Sequence, residues 1–353
     1  MDYLILAINP GSTSTKIALY QNEVEIFKEN IEHPAQELEK YDRLNDQIPL
    51  RRALVLEVLA KHGYQPQDLA IVMGRGGLFP PLETGGYLVN NKMLDLVLEE
   101  KISAHASNFG CVLAHEVAQL AGVQAYIYDA VSAGELNTMV KMTGLTELTR
   151  ESFYHVLNSR AVAMRYATSI GKTYADLNLL VAHLGGGISM GAHRKGHIID
   201  TISDDGGPFA PERAGIINSL ALIDLAFSGK YNHKQLTKKI RGLGGLRDHL
   251  GTSNGKEIAQ MVEAGDPDAI LVMQAQAYQI AKGIGLLAIV LKGDIDAIIL
   301  TGGLAYNEKL IADIKQYISF LAPIIVVPGE YEMEALGLGG LRILNHEEEV
   351  HEM

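Results

Sequence analysis

The chain has no tryptophan and one cysteine, Cys111, in 353 residues. A single thiol excludes an intrachain disulfide framework and a cysteine-built metal cage, and it fits a reducing compartment. Basic residues are in deficit: 30 Lys and Arg face 42 Asp and Glu, a formal charge of −12. Such a chain lacks the basic footprint of a nucleic-acid binder. No run reaches the roughly 18 apolar residues of a membrane span. The opening MDYLILAINPG has no basic stretch ahead of its short apolar run, so it does not read as a secretory signal. These absences predict a cytoplasmic protein with neither a nucleic-acid nor a membrane partner. What is present is 47% hydrophobic and 20% charged, a globular composition, and at about 150 residues per domain the length predicts two domains.

The hydrophobic pattern alternates strands with helices. YLILAI at 3–8, KIALY at 16–20 and VEIFK at 24–28 read as strands joined by short turns. This opening meander is not the strand–loop–helix start of a Rossmann or Walker-type domain. Further strands are expected at 69–73, 125–128, 178–184, 297–301 and 324–327, with strand-like ISMGAH and HIID flanking the turn at 194–196. Helical spacing is expected at 48–62, 92–100, 110–121, 151–170, 213–228, 233–240, 254–264, 267–292 and 307–320, with a last helix from about 333. The acidic end, NHEEEVHE, reads as a solvated, frayed helix end. A strand–polar turn–strand unit occurs at 3–20 and again at 178–200, which suggests two related domains closing on one ligand.

Three glycine-bearing turns carry the chemistry. Asn9-Pro10-Gly11-Ser12-Thr13-Ser14-Thr15-Lys16 places hydroxyls, a glycine and an ammonium between two apolar strands. Those groups suit a polyphosphate, although a generic hairpin turn answers the same pattern. It is not a Walker A loop, because the second glycine is missing and a strand follows Lys16. His183-Leu184-Gly185-Gly186-Gly187 lets backbone approach a ligand closely, or is a plain flexible turn. Thr301-Gly302-Gly303-Leu304-Ala305 links a buried strand to a helix and could grip a nucleotide there, or be a bare loop. Arg75 in GRGG and Arg213 in PFAPERAG are candidate phosphate or carboxylate clamps, with surface ion pairs as the alternative. Asp129 ends a strand and Glu332 follows IIVVPGEY, the usual place for acids that hold Mg²⁺ through water. Gly283-Ile284-Gly285-Leu286-Leu287-Ala288 matches a dinucleotide fingerprint but follows no strand, so it is expected to be helix packing.

Taken in order, NPGSTSTK, GRGG, FYHVLNSR, AHLGGGIS, PFAPERAG and LTGGLAYNE resemble the acetate/butyrate kinase family of the actin, hexokinase and heat-shock ATPase superfamily. The likeness runs from Tyr3 to about Leu344. It implies an α/β chain of two related ribonuclease H-like (actin-like ATPase) domains, each a mixed sheet flanked by helices. The first domain is placed at 1–129 with 335–353 returning to it, and the second at 130–334. Position by position, the resemblance assigns Asn9, Ser12, Ser14 and Lys16 to the first phosphate turn, and Gly185, Gly186 and Gly187 to the second. It places the nucleotide against Gly302, Gly303 and Asn307, with adenine near Ser253, Asn254 and Lys256. It makes Arg75, Asp129, His155, His183 and Arg213 catalytic, and puts Mg²⁺ at Glu332 and Asn9, with Glu334 as an alternative register. After His155 the family's F-H-G-T-S-H segment is not kept, since Val156, Leu157, Asn158 and Ser159 follow. The implied cofactors are ATP or ADP and Mg²⁺. The implied partners are a short-chain fatty acid and its acyl phosphate, and the chain is expected to form a homo-oligomer, a dimer or larger.

The implied reaction is in-line attack of a carboxylate on the γ-phosphoryl of ATP. A sugar or polyol kinase of the same superfamily would instead need a base, for which Asp129 is a candidate; a non-catalytic ATP-gated sensor would need none of this chemistry. The resemblance places a valine two residues after the substrate arginine in acetate kinases. Here Gly76 and Gly77 follow Arg75, and Ser103-Ala104 precedes His105. Smaller walls predict a preference for butyrate or a branched C4–C5 acid over acetate.

Overall fold

The structure is a computed structural model that describes residues 2–353. The chain divides into two compact units, Met1–Glu135 with Val156–Ala161 and Tyr331–Met353, and Leu136–His155 with Val162–Glu330.

The first unit is built on a seven-stranded sheet. Its strands are β1 (Leu4–Pro10), β2 (Ser14–Gln21), β3 (Val24–Glu32), β4 (Ile71–Arg75), β5 (Gly86–Leu88), β6 (Ala125–Tyr128) and β12 (Val350–His351). Their order is β12-β5-β6-β4-β1-β2-β3. β1, β2 and β3 form the expected antiparallel meander, and β4 then β6 add in parallel beside β1. The second unit has five strands, β7 (Asn178–Leu184), β8 (Ile188–Arg194), β9 (His197–Ile202), β10 (Ala297–Gly302) and β11 (Ile324–Pro328), ordered β11-β10-β7-β8-β9. Again an antiparallel meander carries two parallel strands beside its first member. The duplication seen as two polar turns is therefore a repeat of five strands, with β5 and β12 added only in the first unit.

Continuous apolar runs explain the buried central strands. β1 from Ile5 onward and all of β7 are buried, as expected for strands covered on both faces. The helix Glu332–Leu344 packs on β1, β2 and β4. The helix Phe109–Ala121 lies against β4 and β6. It comes unusually close to β4, since a Cβ on Gly74 would stand 2.1 Å from the Gly110 carbonyl oxygen. That backbone approach fixes the strand end bearing Arg75. In the second unit the helix Pro267–Val290 buries Ile280, Ile284 and Leu287 with Leu180, Ile298 and Leu300. Gly283 meets Met190 of β8, so the fingerprint-like segment is helix packing.

Three expectations fail for identifiable reasons. The helix expected from 151 begins at Val156, because the Tyr154 hydroxyl donates to the Val181 carbonyl (3.2 Å) and the His155 N–H donates to Ser189 Oγ (3.2 Å). The helix expected from 213 begins at Ser219, because the Ala214 and Ile216 N–H groups bond the Ile240 and Gly207 carbonyls. The acidic tail is not a frayed helix end: Val350 and His351 pair in parallel with Gly86 and Tyr87 of β5.

Candidate functional site

In the first unit the phosphate-turn candidate closes on itself. The Gly11 N–H donates to the Ser14 carbonyl (2.8 Å), leaving Ser12 and Thr13 exposed while Thr15 points into the protein. Parallel pairing of β1 with β4 matches Ile8 to Gly74, so Asn9 and Arg75 follow side by side. The Arg75 guanidinium donates to Asn9 Oδ1 (3.3 Å) and to Glu332 Oε2 (3.4 Å), and its other terminal nitrogen stands 3.3 Å from Glu332 Oε1. Asn9 Nδ2 donates to Glu332 Oε2 (2.6 Å). Glu332, not Glu334, is thus the acid that meets the strand ends, and it opens its helix where the N-terminal dipole favours a carboxylate.

Asp129 follows Tyr128, the β6 partner of Arg75, but its carboxylate is held by other groups. It has a left-handed backbone (φ 44°), and its carboxylate accepts from the Gly85 N–H (2.9 Å) and from Arg160 Nη1 (2.9 Å). Its side chain is 1% exposed. Burial pushes its pKa up to about 6, against the pull of Arg160. Arg160 also binds Glu348 (2.9 Å), and the Tyr128 hydroxyl and Arg342 complete the network. Asp129 is thus enclosed in an ion-pair network, not open at the strand end.

In the second unit His183 is the next-to-last residue of β7, and its ring stacks on that of His155 with centroids 4.0 Å apart and planes within 7°. His155 Nδ1 is 2.7 Å from Ser189 Oγ. Ser189 lies opposite His183 in the β7–β8 register, so the hairpin itself brings the three together. Behind the glycine turn sits Asp204, and a Cβ on Gly187 would stand 2.5 Å from its Oδ2. Arg213 Nε donates to that same oxygen (3.3 Å). Arg241 is bridged to Arg213 through the backbone and reaches Asp204 (3.9 Å) and Asp205 (3.6 Å). Burial and the Asp205 charge raise the Asp204 pKa, while the arginines oppose them. Two arginines here share two acids, a standing charge balance into which an anion could step.

Gly302 has φ 89°, and a Cβ there would stand 2.5 Å from the Leu184 carbonyl. The third glycine loop therefore lies beside the His183 turn, as the pairing of Thr301 with His183 requires. Asn307 and Asn254 both cap helices, accepting from the Leu310 N–H (3.0 Å) and the Lys256 N–H (2.9 Å). Between those helices and the helix Pro267–Val290 is a cavity of about 570 Å³, lined by Ile258, Met273, Gln274, Asn307 and Leu310 among others.

Sequence reasoning gave no role to Ser189 and Arg160, although they lie in the AHLGGGIS and FYHVLNSR motifs, and it missed Asp204 and Arg241. Asp204 left a signal as one of two acids just past the end of β9 in SDDGG.

The pocket-wall expectation fails. A Cβ on Gly77 would stand 2.1 Å from Asn108 Oδ1 and 2.7 Å from Asn108 Cα, and one on Gly76 would stand 2.5 Å from Ala130 Cα. The space that a valine would have taken is filled by backbone, so these glycines mark tight packing rather than an enlarged pocket. Gly77→Val is expected to destabilise the protein by about 1–3 kcal/mol or more, as overpacking does, without selecting shorter acids. A urea midpoint equal to that of the wild type would contradict this.

Two mixed sheets flanked by helices, each a meander with parallel additions, define an α/β chain of the actin-like ATPase type. A sequence model of the acetokinase family matches residues 145–322, and the chain belongs to that family. Among solved structures it resembles an acetate kinase from Porphyromonas gingivalis (18% identity, TM-score 0.77, covering 94% of this chain and 98% of that one). A propionate kinase from Francisella tularensis subsp. tularensis SCHU S4 gives 16%, 0.75, 96% and 98%. An acetate kinase from Entamoeba histolytica gives 16%, 0.76, 95% and 98%.

Proposed function

We propose that this protein transfers the γ-phosphoryl of ATP to a short-chain carboxylic acid, reversibly, with butyrate or a branched C4–C5 acid preferred. The observation that carries the reaction class is that each unit holds an arginine in a fixed ion pair at its strand ends or glycine turn, while Asp129, the candidate base, is taken up by Arg160. Arg75 stands with Asn9 and Glu332 in one unit, and Arg213 with the stacked His155–His183 pair near a glycine turn in the other. A carboxylate is ionised at pH 7, with a pKa of about 4 to 4.5, so it attacks phosphorus without losing a proton. One of its oxygens bonds to the γ-phosphorus as the bond to the β,γ-bridging oxygen breaks, and ADP leaves with that electron pair. The chain's task is to gather the negative partners and stabilise the charge on the equatorial oxygens. A sugar kinase needs a base at its hydroxyl, and Asp129 is held by Arg160 and Gly85.

No cluster of three or more potential His, Cys, Asp or Glu metal ligands exists among the described residues. One carboxylate, Glu332, at the strand ends suits Mg²⁺ that arrives on the nucleotide and keeps its water. When bound, the ion would neutralise β- and γ-phosphate charge, and Glu332 with Asn9 would hold its hydration shell. The cavity beside Asn307 is of the size and apolarity to take a purine.

The butyrate preference rests on the sequence resemblance to the acetate/butyrate kinase family alone, since Gly76 and Gly77 mark no enlarged pocket. Hydroxylamine trapping of acyl phosphate, run over acids of one to six carbons, tests both levels. Highest kcat/KM for butyrate or isobutyrate is expected, with propionate accepted and acetate poor. An acetate optimum would leave the reaction class standing and remove the chain-length preference, and no hydroxamate from any acid would remove both.

A further inference from the structure

A second arginine of the first unit lies beneath the Gly11–Ser14 turn. Arg51, on the helix Ile48–Lys61, is 0% exposed. Its Nη1 donates to the Gly11 carbonyl (2.9 Å), the Ser14 carbonyl (3.1 Å) and Thr15 Oγ1 (3.1 Å). Its Nη2 donates to the Ser12 carbonyl (3.2 Å) and to Gln47 Oε1 (3.0 Å). The guanidinium also lies 5.2 Å from the Phe109 ring centroid. No carboxylate among the described residues is within ion-pair distance of it.

This arrangement is costly for a structural strut. Taking a guanidinium out of water carries a penalty of several kcal/mol, normally offset by a buried carboxylate. Here only neutral oxygens receive it, and burial pushes its pKa down to about 10. The surrounding groups are arranged for a cation. Thr15 Oγ1 accepts from Arg51 and lies 2.8 Å from His33 Nε2. Burial and the Arg51 charge both hold the His33 pKa down. The buried guanidinium holds the carbonyls of Gly11, Ser12 and Ser14 on the inner side of the turn. A carbonyl left on the outer face would repel an anion.

We propose that Arg51 is a positioning residue for a phosphate group at the Gly11–Ser14 turn, holding the turn's carbonyls away from the ligand and lending it an otherwise unpaired positive charge through the backbone. This rests on the assignment of the turn to the nucleotide's phosphates. The missing counterion of Arg51 is then the phosphate itself. In a partly shielded interior such a charge retains much of its strength.

The test uses the full chain with two ligands, ADP with Mg²⁺ and inorganic tripolyphosphate, measured by titration calorimetry beside steady-state kinetics. Arg51→Lys keeps a charge and loses the fork, while Arg51→Met loses both. Each is expected to weaken both ligands tenfold or more and to raise the ATP KM in step, with the acid KM within twofold of wild type. If the methionine variant does not fold, the lysine variant decides alone. Folded Arg51→Lys protein with wild-type tripolyphosphate affinity overturns the proposal, as does an equal rise in both KM values, which would mark a merely structural residue. Lys16→Ala separates the two levels. If it weakens tripolyphosphate while Arg51→Lys does not, only the role of Arg51 fails. If neither changes any nucleotide parameter in an active enzyme, the turn is not the phosphate site.

Discussion

Alanine in place of Arg75 is expected to lower kcat by about 10²-fold or more, and alanine in place of Arg213 by a similar factor. Both guanidiniums are preorganised, which is the physical reason to expect so much from one side chain. Arg75 is held by Asn9 and Glu332 at the ends of β1 and β4, and Arg213 by Asp204 behind the glycine turn. Neither needs to be gathered from solvent when charge develops on the transferring phosphoryl group. Loss of Arg75 also leaves Glu332, 6% exposed, with Asn9 and without its cation, so circular dichroism and a thermal melt must accompany the kinetics. Arg75→Lys restores a point charge but not two parallel donors, and it is expected to recover little turnover. Arg241 stands farther than Arg213 from the buried Asp204 (3.9 against 3.3 Å) and makes its nearer contact with the more exposed Asp205 (3.6 Å), so Arg241→Ala is expected to have the smaller effect. Near-normal turnover of folded Arg75→Ala or Arg213→Ala protein would remove that arginine from the reaction.

What the sequence made legible was local. Apolar runs gave the meander of β1 to β3 and its repeat in β7 to β9, because buried strands declare themselves by composition. Polar turns between such runs marked Ser12 and His183 for the same reason. Contacts distant in sequence left no periodic trace. Asn9 and Glu332 are 323 residues apart; the place of Glu332 after an apolar run marked the acid, but nothing local paired it with Asn9 or Arg75. Arg51 and Arg160 sit inside helices, where a sequence pattern cannot tell a buried cation from a solvated one. Gly77 shows the opposite error. A small side chain was taken for open space, but Asn108 fills that space, and no property of the segment GRGG could reveal what packs against it.

The acidic tail gives the second large effect. Its Glu348 is predicted to contribute up to about 3 kcal/mol of stability at neutral pH. Glu348 accepts from Arg160 (2.9 Å) and Tyr128 (2.5 Å), and from Arg342 Nε (2.9 Å). The two arginines outweigh burial and hold its pKa at about 2, against 4.5 for the ordinary group. That gap of about 2.5 units, at 1.36 kcal/mol each, sets the upper figure. The folded pKa is the lower one, so between pH 2 and 4.5 the unfolded chain binds more protons. The stabilisation is therefore complete above about pH 4.5 and is lost as the pH falls through 2. Asp129 acts in the opposite sense. Its folded pKa of about 6 lies above the ordinary 3.8, so its contribution declines as the pH rises from about 4 through 6, a separate window. Glu348→Gln removes the first effect and weakens the second, because the Glu348 charge is one of the causes that raise the Asp129 pKa. The difference in unfolding free energy between wild type and variant, from urea titrations, should be about 2–3 kcal/mol at pH 7 and should close toward zero near pH 2. An equal difference at both pH values would mean that Glu348 stabilises by packing alone. No difference at pH 7 would mean that the tail is solvated after all, and that Arg160 holds Asp129 without it.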